Sequence, residues 1–345
     1  MMNYNASSSA FGWHFQINAA IIFMLREIKN IDSLRIEGVD EDIELILSNG
    51  AKILIQAKSK ATLGADNNAL SKLSEGMKTL IHGANKNDYE KLYFVTNYPN
   101  PIGGRQNQYN IFMGGTYIER SFAELPLGAK SSALTKINEV EEKYKLKMDT
   151  KNLFISVIPF DGEMKDIRER VIIAQLKEFL NNISVNEGSS KELLEIWQSD
   201  MFFNASNIDT KIELNKKKLM WPIVVLNCDL NEDDKLWDEV EDELGLDSEY
   251  VEIILRRYGS FINKQIEHFD FVIKVISDFR LHKASKKGKE RKKEVFVNQN
   301  WSSYKEDIYS GDLAEELLET LIKIILLKLL NKQNMVSKVI KEVNL

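Results

Sequence analysis

Hydrophobic and polar residues are spaced along the first 160 residues in a way that predicts a mixed α/β domain. Apolar residues recur at helical spacing in "SAFGWHFQINAAIIFMLREIKN", with Ser8 or Ser9 as the expected N-terminal cap. Alternating or continuous apolar runs further along predict strands. The predicted order is a helix (residues 9–30), a strand (33–40), two hairpin strands (42–48 and 51–59), a helix (69–85), a strand (91–97) and a further strand (152–160).

The pattern changes near residue 160, where helical spacing becomes dominant. It predicts helices over residues 166–183, 191–203 and 238–262, and a leucine-rich helix from Leu313 to Leu330. The run "MWPIVVLNCD" fits either a strand or a buried helix, because periodicity alone does not separate the two. The sequence therefore predicts two domains, 1–160 and 161–345.

A long stretch between residues 98 and 130 is rich in Gly, Pro and Asn and has no regular pattern. Loops of this length in a compact domain are often functional or mobile. Arg105 in this stretch could approach a phosphate backbone, although a mobile surface loop is the simpler interpretation.

The register of the predicted hairpin decides whether its polar residues can meet, because strand side chains alternate between two faces. A two-residue turn would place Asp42 opposite Ala57, on the other face from Gln56. A three-residue loop ending in Gly50, with that glycine in the left-handed conformation, places Asp42 opposite Gln56, with Lys58 one step along. The second register also sorts the apolar residues of both strands onto one face, and we therefore predict it.

Asp42, Gln56 and Lys58 together form a chemical set suited to phosphodiester hydrolysis. Asp42 can bind a hard divalent cation and Gln56 can add an amide oxygen, while Lys58 can stabilise charge that develops on the phosphate. Mg²⁺ retains several waters and needs only one or two protein carboxylates, so a small ligand set is sufficient. A solvated strand edge remains the alternative for each motif taken alone.

The order of helix, strand, "D-x(13)-QxK" hairpin, helix and strand resembles the PD-(D/E)XK nuclease superfamily, in the variant where Gln replaces the acid of the ExK motif. More narrowly, "GWHFQ", "IEGVDEDIEL", "ILIQAKSK" and "LYFVTN" look like the N-terminal endonuclease domain of bacterial anti-phage effectors of the CBASS and Lamassu type. The resemblance covers residues 8–160. It implies a restriction-endonuclease-like mixed-sheet core in domain 1–160, followed by a mostly α-helical domain.

The same resemblance implies Mg²⁺-dependent cleavage of double-stranded DNA, with Mn²⁺ able to substitute. Asp42, Gln56 and Lys58 correspond to the catalytic set, with Asp42 and Gln56 as metal ligands, and Glu37 and Gln16 match the supporting acid and amide. Two features depart from the family pattern. The acidic run offers residues 40, 41 and 42 as ligands, and the C-terminal half matches no cyclic-nucleotide sensor domain.

The charge distribution indicates which parts of the chain could contact nucleic acid. The net charge of −6 argues against coating of nucleic acid by bulk electrostatics, and the negative excess lies beyond residue 160. The basic run "KASKKGKERKKE", residues 283–294, is either a solvated loop or a contact to the DNA backbone. The acidic segment over residues 231–249 reads as a solvated helix face.

The sequence argues against disulfides, zinc sites, a signal peptide and membrane-spanning helices. Cys228 is the only cysteine and the four histidines lack zinc-ligand spacing, which argues against disulfides and zinc and favours the cytoplasm. We expect no signal peptide and no membrane span, since charged residues interrupt the most apolar stretch.

A free nuclease would attack host DNA, so we expect the protein to be regulated. The helical domain 161–345 is expected to provide regulation, oligomerisation or partner binding, through a homo-oligomer or a separate sensor or ATPase subunit such as an SMC-like protein. Its leucine-rich last helix could pack against such a partner or could complete a self-contained domain. The alternative function is a catalytically inactive, nuclease-like DNA-binding or scaffold subunit of a defence complex.

Overall fold

The computed structural model describes residues 7–62, 69–103, 110–228, 240, 248–309, 311 and 313–345. The chain forms two compact units, one of residues 1–182, 190–219 and 344, and the other of residues 183–189, 220–343 and 345. The first unit therefore continues beyond residue 160. The division of function between residues 1–160 and 161–345 stays a prediction.

The first unit is built on one mixed sheet of seven strands. In spatial order the strands are β5-β6-β4-β3-β2-β1-β7. The β3–β4 and β4–β6 pairs are parallel, and the other pairs are antiparallel. Their bounds are β1 Ile31–Ile36, β2 Ile43–Leu47, β3 Lys52–Lys58, β4 Tyr89–Thr96, β5 Ile118–Ser121, β6 Leu153–Val157 and β7 Leu214–Asn215. The predicted mixed α/β class is confirmed.

Two strands were not predicted from the sequence. β5 lies in the stretch that we interpreted as an irregular loop, and β7 is two residues long within the helical region. The side chains of β5, in the sequence "IERS", are all half-buried, so the strand lacks the alternation that identifies a strand with one buried face. Edge strands of this kind are defined by pairing with a neighbour, which the sequence does not show.

Helices cover both faces of the sheet. The helices of the first unit are α1 Ser7–Glu27, α2 Ala69–Ala84, α3 Leu127–Tyr144, α4 Lys165–Arg168, α5 Arg170–Asn182 and α6 Ser190–Ser206, and α7 Lys216–Cys228 begins in it. Phe23 of α1 contacts Tyr93, with ring centroids 4.6 Å apart, whereas Phe94 belongs to the core under α2 and α3. Neighbouring residues of a strand face opposite sides, so α1 and α2 lie on opposite faces.

Two predictions about helices need correction or completion. Ser8 and Ser9 do not cap α1, because the helix already includes Ser7. The run "MWPIVVLNCD", which fitted either a strand or a helix, is helical through Cys228 within α7, although the helix contains Pro222.

The second unit is helical. Its helices are α8 Ser248–Ile266, α9 Phe269–Ser285, α10 Lys293–Asn300, α11 Lys305–Ile308 and α12 Glu315–Val343. The central part of α12 is buried almost all round, including Leu321, Ile325 and Leu329, by packing against α8, α9 and α10. The apolar surface of this helix is therefore covered within the unit and does not by itself indicate a partner.

The charged segments noted in the sequence lie partly outside the described residues and partly in the second unit. Arg105, and most of the acidic segment 231–249, lie outside the described residues. The basic run 283–294 covers the end of α9, a turn of 3₁₀ helix and the start of α10. Among the helices that the structure describes, none is long and apolar enough to cross a membrane.

Candidate active site

The β2–β3 hairpin has the predicted three-residue loop. Strand residue Leu45 pairs with Ile53, and the Leu47 amide donates to the Ala51 carbonyl oxygen at 2.9 Å. Gly50 has a φ of +87°, the left-handed conformation expected for it. This register places Asp42 opposite Gln56, so the predicted loop and the shared face are both confirmed.

Asp42 lies where β2 begins and receives several hydrogen bonds. Its Oδ2 accepts from the side-chain amide of Gln56 and from the Ala57 backbone amide, the latter at 3.0 Å, and Gln16 also donates to the carboxylate. Burial raises the pKa of Asp42, and nearby Lys58 and the hydrogen bonds oppose that rise without cancelling it. The carboxylate is thus held in place, and a bound cation would offset the effect of burial on its charged form.

Glu37 and Gln16 join Asp42 from two further elements. Glu37 follows β1 with a φ of +52°, a left-handed conformation that is uncommon for a residue other than glycine. Its backbone amide donates to the Asp42 carbonyl oxygen at 2.8 Å. Gln16 of α1 donates to both carboxylates, and the pKa of Glu37 is raised by burial and by Asp42.

Lys58 completes the group from the end of β3. Its ammonium lies close enough to Glu37 and Asp42 to favour the ionised forms of both, and its side chain is half-buried. The structure therefore brings together all five residues that the sequence analysis selected: Gln16, Glu37, Asp42, Gln56 and Lys58. Their catalytic roles stay predictions.

The structure separates the three acids of the run 40–42. Asp40 accepts from Lys86 Nζ at 2.8 Å and from Asn87 Nδ2 at 2.9 Å, at the end of α2. Glu41 is 4% exposed, and its carboxyl group lies beside the Thr79 hydroxyl. Burial, followed by the charge of Asp42, raises the pKa of Glu41 to about 9. Glu41 is thus protonated at neutral pH, and Asp42 is the acid of this run best placed to bind a cation.

Two residues that the sequence analysis did not select support the site. Glu44 of β2 accepts from the backbone amides of Asp40 and Glu41, at 2.9 and 3.3 Å, and from Lys52 Nζ at 2.7 Å. It thereby holds the turn between Glu37 and Asp42. The sequence could have predicted the Glu44–Lys52 contact, because the predicted register places this acid of β2 diagonally opposite this lysine of β3.

The second unselected residue is Thr79 of α2, whose hydroxyl donates to Gln56 Oε1. Gln56 is 1% exposed, and both ends of its amide are engaged, by Asp42 on one side and Thr79 on the other. No sequence pattern connects residue 79 with residue 56, because the contact depends on how α2 packs on the sheet.

The donor set fits a hard divalent cation. Carboxylate oxygens of Asp42 and Glu37 and the amide oxygen of Gln56 are the ligand types that Mg²⁺ prefers. In the described part of the chain, no three His, Cys, Asp or Glu residues are grouped as a metal site. A cation here would therefore depend on the amide and on water for the rest of its coordination.

Two lysines extend the positive charge beyond Lys58. The backbone of Lys60 is fixed on both sides by Asn97, which accepts from its amide and donates to its carbonyl oxygen, each at 2.8 Å. Lys72 Nζ of α2 donates to the Ser59 carbonyl oxygen at 2.9 Å. Both lysines therefore lie beside the chain that leaves β3, and the Lys60 ammonium is 4.5 Å from the centroid of the Tyr98 ring.

The comparisons with known proteins place few limits on function. No family model and no curated protein matches the chain. Among solved structures, the Moraxella osloensis Cap4 SAVED/CARF-domain containing receptor is similar with a TM-score of 0.38 and 11% identity, over 64% of this chain and 48% of that one. The chain thus spans about half the length of that receptor.

Proposed function

We propose that the protein is a metal-dependent endonuclease that cleaves double-stranded DNA as the effector of a bacterial anti-phage defence system. The observation that carries the proposal is the meeting of five residues from α1, the turn between β1 and β2, and β3, in the register that puts Asp42 opposite Gln56. They are Gln16, Glu37, Asp42, Gln56 and Lys58. A solvated strand edge does not require a carboxylate, an amide and an ammonium to converge in this way.

In this proposal the residues have distinct roles. Asp42 and Gln56 bind Mg²⁺, and Glu37 and Gln16 support the site, since Gln16 donates to both carboxylates. When bound there, a divalent cation would supply polarisation of the phosphate and a lower pKa for a bound water. The Lys58 ammonium lies at the edge of the acid pair, where it can stabilise charge that develops on the phosphate.

The role in defence rests on the resemblance of "GWHFQ", "IEGVDEDIEL" and "ILIQAKSK" to the nuclease domains of anti-phage effectors. A nuclease that is safe for its host requires control, and we propose that residues 161–345 provide it through self-association or a separate sensor or ATPase subunit. Lys60 and Lys72, beside the chain that leaves β3, are proposed to contact the DNA backbone.

The test is cleavage of linear and plasmid double-stranded DNA by the full chain, with Mg²⁺ and with EDTA, once an activating condition has been found. We expect cleavage with Mg²⁺ only, and its loss in Asp42→Ala. Lys136→Ala is the matched control, since Lys136 pairs with Glu139 on the surface of α3, outside the site. DNA binding without cleavage under every activating condition would instead favour the inactive scaffold.

A further inference from the structure

The orientation of the Gln56 amide poses a problem for cation binding. Its Nε2 donates to Asp42 Oδ2, and its Oε1 accepts from the Thr79 hydroxyl. An ionised carboxylate can only accept hydrogen bonds, so contact with Asp42 selects the nitrogen end of the amide. The amide oxygen, which is the only atom of this side chain that can bind a cation, therefore points away from Asp42 and towards α2.

We propose that cation binding at Asp42 is coupled to a half-turn of the Gln56 amide, and that Thr79 is the positioning residue that supports both orientations. The inference rests on the proposed function, because it takes Asp42 as a ligand of the divalent cation. After the half-turn, Oε1 faces Asp42 and can join it as a ligand, while Nε2 faces the Thr79 hydroxyl.

Thr79 can serve both orientations because a hydroxyl is both a donor and an acceptor. In the orientation seen, it donates to Gln56 Oε1. A second acceptor, the Gly76 carbonyl oxygen one turn earlier in α2, lies 3.0 Å from Thr79 Oγ1. When the amide turns, the hydroxyl hydrogen can pass to Gly76, and Oγ1 then accepts from Nε2. The Glu41 carboxyl beside Thr79 is a further acceptor for that hydrogen, so the hydroxyl has partners in both states.

The contact with Asp42 couples the turn to the cation. With Oε1 facing Asp42 Oδ2, two oxygen atoms carrying negative charge would oppose each other in a buried site, which is unfavourable unless a cation lies between them. Without a cation, the amide returns to donating to Asp42. The Ala57 backbone amide donates to Oδ2 at 3.0 Å and does not depend on the side-chain orientation.

This arrangement also gives a reason for glutamine at position 56. A glutamate there would place a third carboxylate beside Glu37 and Asp42, whose pKa values are already raised by burial. Like charges so close together disfavour ionisation of each other. Glutamine instead supplies a donor to the site without a cation and an acceptor to the site with one.

The direct test is nuclear magnetic resonance on the full chain labelled with ¹⁵N-glutamine, titrated with Mg²⁺ alone. The Gln56 side-chain signal is assigned by its loss in Gln56→Leu. Without Mg²⁺, we expect nuclear Overhauser contacts from the Gln56 amide protons to the Ala57 amide proton. With Mg²⁺, contacts to the Thr79 methyl group should replace them.

Matched variants test the part played by Thr79. A bound cation polarises the amide and strengthens its donation to Oγ1, so the hydroxyl matters more in the turned state. Thr79→Val, which keeps the shape, should weaken Mg²⁺ binding measured by calorimetry about 10-fold, in the range of residues that orient metal ligands. Thr79→Ser, which keeps the hydroxyl, should weaken it by less than about 3-fold on the same grounds.

The outcomes separate this inference from the proposed function. If Mg²⁺ binds and DNA is cut while the Gln56 amide keeps its contacts to Ala57, the proposed half-turn is wrong but the proposed nuclease function is retained. Equal Mg²⁺ affinity for Thr79→Val and wild type would remove Thr79 from the mechanism. If Mg²⁺ does not bind and activated protein does not cut DNA, both proposals fall.

Discussion

Gln56 and Asp42 face each other across the β2–β3 hairpin, and the amide of one donates to the carboxylate of the other. The two residues are brought together by the loop ending in Gly50, which sets the pairing of every residue in both strands. Because strand side chains alternate, a shift of one residue would move Asp42 to the opposite face. The site therefore depends on a turn that contains none of its residues.

Gly50 is the position at which this dependence can be measured. Its φ of +87° is strained for residues with a Cβ, although no atom would obstruct one. Gly50→Ala should lower the free energy of unfolding by about 1 kcal/mol, and Gly50→Asn by less, because asparagine tolerates the left-handed conformation better. Urea unfolding measures both. Gly115→Ala is the control, since its Cβ would also meet open space and its φ is not positive.

Lys58 is the residue whose removal should affect chemistry most and folding least. Its half-buried ammonium lies beside Glu37 and Asp42 without being part of the apolar core. Lys58→Ala should lower cleavage of double-stranded DNA by about 100-fold or more, as loss of a group that stabilises developing charge does. The circular dichroism spectrum and the oligomeric state should stay unchanged.

Lys58→Arg tests the need for a compact charge. The guanidinium is larger and spreads its charge over a planar fork, so we expect only partial recovery of cleavage relative to Lys58→Ala. Wild-type cleavage by Lys58→Ala, in the activated state, would contradict the catalytic interpretation and favour the scaffold alternative.

The acids at positions 42 and 40 form a matched pair for testing the metal site. Asp42→Asn should weaken Mn²⁺ and Mg²⁺ binding and abolish cleavage with Mg²⁺, because a neutral amide is a poorer ligand for a hard cation. Excess Mn²⁺ should restore part of the activity. Asp40→Asn should retain cation binding, since Asp40 is engaged by Lys86 and Asn87. Equal loss of calorimetric binding in both variants would show that the cation is not held at Asp42.

Much of the site was predictable because it follows from local rules. Alternation fixed which residues of β2 and β3 share a face, and the preference of glycine for positive φ identified the loop. These two rules alone place Asp42 beside Gln56. The contact is confirmed by the hydrogen bond between them.

The remaining features depend on contacts between distant segments. Thr79 reaches Gln56 only because α2 packs on β3, and β5 is a strand only because it pairs with β6. The predicted register selected Asp42 from the run 40–42 and its position is confirmed, but burial decides where the other two acids lie. Glu41 is buried beside Thr79, whereas Asp40 is paired with Lys86 just beyond α2.

Glu169 provides a test of the first unit that does not involve the proposed chemistry. It is 2% exposed, and one of its oxygens accepts from Gln198 Nε2 at 2.8 Å and lies 3.0 Å from His14 Nε2. Burial alone would raise the pKa of Glu169, but the hydrogen bonds from His14 and Gln198, together with the charges of Lys165 and His14, outweigh it and hold the pKa below its usual value of 4.5. The ionised form therefore stabilises the folded state.

The sign of the pH dependence follows from that shift. Because the pKa is lower in the folded than in the unfolded chain, the stabilisation is complete above the unfolded value and is lost as the pH falls through the folded value. Glu169→Gln should lower the free energy of unfolding by about 1 to 2 kcal/mol at pH 7, and the difference from wild type should shrink below pH 4.5. Urea unfolding of both proteins at pH 7, 5 and 3.5 measures it. A difference that stays constant over this range would show that ionised Glu169 contributes nothing to stability.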